Sequence, residues 1–75
     1  MNLYLAMILM VRAGGQHVVC EADLYEARNE ADALRDARAH ILASSPGFKL
    51  SDIVREGADD ISDKAESFAR EWGLL

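Results

Sequence analysis

Apolar positions at the start of the chain divide between two faces of a pleated ribbon. Leu3–Val11 is a nearly continuous apolar run, and Gly14-Gly15 follows it. The glycine pair suits a two-residue hairpin turn, whose central positions often need positive φ. Folding the flanks across that turn sets Val11 opposite Val18, Leu9 opposite Cys20, Met7 opposite Ala22 and Leu5 opposite Leu24. These four apolar pairs share one face. The intervening pairs are mixed: Arg12 with His17, Met10 with Val19, Ile8 with Glu21, Ala6 with Asp23 and Tyr4 with Tyr25. A slip of one residue would destroy this sorting, so the pattern predicts both the hairpin and its register.

Beyond the hairpin the period changes. Asn29 reads as an N-cap, with Glu30 and Asp32 in a first turn whose dipole favours acids. Ala31, Leu34, Ala37, Ile41 and Leu42 form one apolar stripe, and Asp32, Asp36 and His40 fall on the other side. Ser45-Pro46-Gly47 ends this helix, which is predicted from about Glu30 to Ser44. Residues 48–57 suit either a third strand, from Phe48-Lys49-Leu50 and β-branched Ile53-Val54, or the start of a long helical series. Gly57 inside such a helix would cost about 1 kcal/mol, and Asp59, Asp60 and Ser62 offer fresh caps. A short strand followed by a helix from roughly Ile61 to Trp72 is therefore preferred. Gly73 would stop that helix, and Leu74-Leu75 would fold back onto its last turn.

The expected architecture is α+β, in the order β-hairpin, helix, third strand, C-terminal helix (ββαβα), with a small antiparallel sheet covered by helices. The third strand belongs beside the first, the more apolar of the hairpin strands. The first helix is expected to cover the face of Leu5, Leu9, Val18 and Leu24.

Size and charge narrow the function. Seventy-five residues make one domain, 1–75, with room for one core. Thirteen Asp and Glu against eight Lys and Arg give −5, which argues against direct nucleic-acid binding, since that needs clustered positive charge. A single cysteine, Cys20, points to a reducing, cytoplasmic setting. Leu3–Val11 is too short to span a bilayer, for which about 20 residues are needed. No Lys or Arg precedes it, as a signal peptide would require. No membrane partner is expected.

No catalytic constellation is legible, and neither metal nor cofactor is implied. His17 and Cys20 are three apart on a strand and point to opposite faces, so they cannot converge on a metal; Cys20 is expected to be a core thiol. Gly14-Gly15 lies between strands, with no helix N-terminus or Lys-Ser/Thr pair to hold a phosphate. A catalytic role would need a convergent pocket of which the sequence gives no sign.

Two surfaces remain as candidates for a partner. From Asp52 to Glu66, six acids stand against Arg55 and Lys64, so this stretch holds −4 of the net −5. Its Asp59, Asp60 and Asp63, with Glu21 and Asp23 near the hairpin, can steer the chain to a basic groove or serve only as a solvated face. The second candidate is the mixed face of the hairpin. If no helix covers it, Tyr4, Ile8 and Tyr25 would present aromatic and apolar anchors with Glu21 and Asp23 at the rim. A homodimer through the sheets would also hide such a face.

Residues 17–42 resemble two groups of proteins. A strand ending in Glu21-Ala22, followed by a capped helix that opens Glu30-Ala31 and continues Ala33-Leu34-x-x-Ala37, resembles very small phage and mobile-element proteins, anti-CRISPR inhibitors among them. Cys20-Glu21-Ala22-Asp23-Leu24 before a Glu-Ala-rich helix resembles HicB-type antitoxins, although the proline after the cysteine is absent. The first resemblance implies a stoichiometric inhibitor that occupies a basic surface of a bacterial defence protein. The second implies an antitoxin-like homodimer that neutralises a small basic toxin.

Overall fold

In the computed structural model of the chain, residues 1–12 and 14–73 are described. Leu74-Leu75, expected to fold back onto the last helix, lie outside them. The elements are β1 (Asn2–Val11), β2 (Val18–Ala27), α1 (Glu30–Ser44), a 3-10 turn (Leu50–Asp52), β3 (Ile53–Asp60) and α2 (Ser62–Glu71). The strands form one antiparallel sheet in the order β2-β1-β3, so the ββαβα arrangement and the central place of β1 are as the sequence predicts.

The hairpin register matches the predicted pairing throughout, from Tyr4 opposite Tyr25 to Val11 opposite Val18. Gly14 and Gly15 both have positive φ, 95° and 69°, a conformation that a side chain would strain. The Gly15 amide donates to the Arg12 carbonyl at 2.9 Å and closes the turn. Helix α1 also has its predicted bounds, and its Asn29 side chain accepts a hydrogen bond from the Asp32 amide at 2.9 Å.

The third element is a strand, and it lies later than expected. Phe48 is not part of it: the Arg12 guanidinium sits 4.7 Å above its ring. Asp52 accepts from the Lys49 amide at 2.8 Å and holds the intervening 3-10 turn. β3 then runs to Asp60, with a register shift opposite Leu9 and Met10 that leaves Val54 exposed.

The covered face is the reverse of the expectation. Helix α1 lies over Tyr4, Ala6, Ile8 and Met10 of β1, and its own Ala33, Ala37 and Ile41 are buried against them. Ala6, Ala33 and Ala37 are small enough to let the helix axis approach the sheet closely, while Met10 and Ile41 fill the volume at one end. On the flank of α1 facing β3, the Arg38 guanidinium donates twice to the Glu56 carboxylate, once from Nε at 2.7 Å. The predicted stripe omits Ala33, which is fully buried, and includes Ala31, which is exposed.

The other face has no cover from α1. It carries Leu5, Met7, Leu9 and Val11 of β1 beside Val18, Cys20, Ala22 and Leu24 of β2. Met7 there is 50% exposed, against 0% for Met10 on the same strand. Nor does α2 close the face. Its N-terminus is tied to β1, where the Leu3 amide donates to Ser62 Oγ at 2.9 Å and the Ile61 amide to the Leu3 carbonyl at 2.8 Å. None of its side chains is buried. The molecule is 47 Å long, whereas a ten-residue strand spans about 33 Å, so α2 projects past the end of the sheet. The radius of gyration of 14.4 Å exceeds the roughly 11 Å of a compact chain of this length.

Candidate functional site

The candidate residues fall into three separate places. Tyr4 and Ile8 are core residues, 7% and 2% exposed, because α1 covers the mixed face of the hairpin. This corrects the expectation of an open patch there: no partner can reach these two side chains in the folded chain.

Glu21, Asp23 and Tyr25 do come together. They sit on the α1 side of β2, the sheet's edge strand, just beyond the helix footprint. The Tyr25 hydroxyl lies 3.0 Å from His40 Nδ1 of α1, with the two rings edge to face, and Asp23 Oδ2 is 4.0 Å from the same nitrogen. Partial burial raises the Tyr25 hydroxyl above its ordinary value, and the negative charges of Asp23, Glu21 and Asp36 raise it further. The two nearest carboxylates, Glu21 and Asp23, have no Lys or Arg ion-pair partner among the described residues, whereas Asp32 and Asp36 of α1 are paired with Arg28 and Arg35. The β2 edge is thus a small, fixed concentration of negative charge around an aromatic side chain.

Asp59, Asp60 and Asp63 lie at the opposite edge and do not form one surface. Asp59 is on the open face, opposite Leu5. Asp60 points to the other side and accepts from the Ser62 amide at 3.0 Å; hydrogen bonds from Ser62 hold its carboxyl below the usual range. Asp63 is exposed in the first turn of α2. The sequence reading of Asp60 as cap-forming is close, although the N-cap itself is Ile61, which makes no side-chain bond.

Two features were missed in the sequence. One is the uncovered apolar sheet face, with a groove of about 540 Å³ along β1 and β3 lined by Leu5, Met7, Leu9, Arg55, Gly57 and Asp59. Cys20 also lines it and is exposed, so it is not the expected core thiol. The other is the apolar stripe of α2. Phe68 and Trp72 stack at 6.2 Å, 53% and 73% exposed. The sequence predicts a helix over this stretch but not the exposure of Phe68 and Trp72.

Among the described residues no group of three or more His, Cys, Asp or Glu is placed to hold a metal ion, and no helix is long and apolar enough to cross a membrane. No family model matches the chain, and no curated protein and no solved structure is significantly similar to it.

Proposed function

We propose that the chain is a small cytoplasmic protein-binding module without chemistry of its own, which acts by occupying a basic surface of another protein. A phage-type inhibitor of a bacterial defence protein, of the anti-CRISPR kind, is the form that fits its size and charge. The observation that carries this reading is the β2 edge, where Glu21 and Asp23 stand beside Tyr25 with no Lys or Arg ion-pair partner among the described residues. Carboxylates around an aromatic anchor suit a basic groove, adding to association rate and specificity. The test is capture from bacterial lysate by the tagged chain at low and high salt, beside the Glu21→Lys/Asp23→Lys variant. The reading predicts a basic partner released by salt and retained about tenfold less by the variant. Equal retention by both chains refutes it.

A second reading, an antitoxin-like regulatory homodimer that neutralises a small basic toxin, draws support from the uncovered sheet face. It predicts a stable dimer that binds a co-expressed basic protein.

A further inference from the structure

We infer that the open sheet face is the seat of a second copy of this chain, packed face to face about a two-fold axis that crosses the strands at the level of Met7 and Gly57. The inference concerns a different surface from the acidic β2 edge and holds whichever partner that edge takes.

Area is the first argument. The chain exposes 5333 Å², whereas a compact monomer of 8.3 kDa exposes about 4,600 Å². The excess is close to the roughly 800 Å² that each partner contributes to a standard interface. Part of this excess is the apolar sheet face and part the unburied stripe of α2, both of the composition found at interface centres.

The second argument is charge. On the open side of β3 stand Arg55 and Asp59, opposite Leu9 and Leu5, with Gly57 midway between them. Neither has an ion-pair partner among the described residues. They are four residues apart, about 13 Å along the strand. An axis across the strands at Gly57 sets β3 antiparallel over the partner's β3. It places each Arg55 over the partner's Asp59, so one arrangement satisfies both pairs, as an isologous contact requires.

Shape is the third. Gly57 pairs with Met7 and leaves open space above the sheet: a Cβ placed on it would meet nothing within 4 Å. Met7 is flexible and half-exposed; in the two-fold arrangement it faces the partner's Met7, and the open space over the Gly57 residues beside the pair gives both side chains room to lie down. Sheets packed this way lie about 10 Å apart. The N-terminus of each α2 then falls beside the hairpin end of the other copy, where Val18 is exposed.

The experiment is sedimentation equilibrium of the full chain over a wide concentration range, with three variants. Wild type is expected near twice 8.3 kDa, dissociating on dilution. Met7→Lys, at a position already half-exposed in the single chain, is expected to be monomeric with its helix signal intact. Arg55→Asp sets like charges against each other at both contacts and is expected to weaken the dimer about a hundredfold. Arg55→Asp/Asp59→Arg restores both contacts and is expected to return to within about threefold of wild type. Both exchanged residues are exposed, so this pair reports on the interface even if Met7→Lys fails to fold. A wild type that stays monomeric overturns the proposal. So does a dimer indifferent to Arg55→Asp, or a double exchange that fails to rescue it. Glu21→Lys/Asp23→Lys should leave the mass unchanged; a loss of dimer there would put the contact on the acidic edge and overturn the sheet-face assignment.

Discussion

Met7 and Met10 are the same residue type on the same strand, three positions apart, and they make a direct comparison of the two sheet faces. Met10 is fully buried under α1 against Ile41, whereas Met7 is half-exposed. Truncating Met10 to alanine removes buried methylenes and the thioether and leaves a cavity, at a cost of about 2–5 kcal/mol. A chain of this length has a total stability of roughly 4–11 kcal/mol, so much of it goes. A loss of 3 kcal/mol would lower Tm by about 12–24 °C. Truncating Met7 in the single chain removes contacts on one side only and should cost less than about 1 kcal/mol. Urea unfolding followed by far-ultraviolet circular dichroism measures both, in the Arg55→Asp background where the second copy is released. The expected difference is at least about 1 kcal/mol, with Met10→Ala the weaker protein. Equal losses, or a larger loss from Met7→Ala in that background, would mean that α1 covers the face of Leu5, Met7 and Leu9 and would refute the packing described above.

Two further outcomes follow from local contacts. Asn29→Ala removes the bond to the Asp32 amide and should destabilise the fold by about 1 kcal/mol, read from the urea midpoint. Hydrogen bonds from Arg38 outweigh partial desolvation and hold the Glu56 carboxyl below its ordinary value of 4.5. A depressed folded value stabilises the chain above the unfolded value and loses that contribution as pH falls through the folded one. Glu56→Gln should therefore cost about 1 kcal/mol at neutral pH and flatten the stability profile below about pH 4.5. A variant profile parallel to wild type would show that the pair contributes nothing.

Much of the fold is legible in the sequence because local signals agree. The glycine pair and the apolar sorting fix the hairpin register, and Asn29 and Ser45-Pro46-Gly47 bound α1. The choice of covered face is not legible. Both faces of the hairpin are apolar enough to be buried, and the face of Leu5, Met7, Leu9 and Val11 with Val18, Cys20, Ala22 and Leu24 is the more apolar. What decides is fit: Ala6 against Ala37, and Ala33 against Tyr4 and Ala27, admit the helix, and Glu21 and Asp23 stay exposed at its margin. A pattern of apolar residues says that a face is to be hidden, but not whether its own chain or a second one hides it. For the same reason Tyr4 and Ile8 read as contacts when they are core, while nothing in the pattern marks Met7, Arg55 and Gly57 as a surface. Of the acidic candidates, Glu21 and Asp23 meet Tyr25 because alternate residues of one strand share a face, which the period alone predicts. Asp59 and Asp60 separate because neighbours on a strand face opposite ways, and Asp63 lies beyond the strand in the first turn of α2.

Cys20 is the single cysteine of the chain and lies on the open face, so its labelling rate tests the central claim without any substitution. The measurement is the reaction of the native protein with a thiol reagent as protein concentration is raised. The account predicts fast labelling in dilute solution, where the face is bare, and progressive protection as the second copy covers it. Slow labelling at every concentration would contradict the open face, and fast labelling at every concentration would contradict its occupation by a second copy.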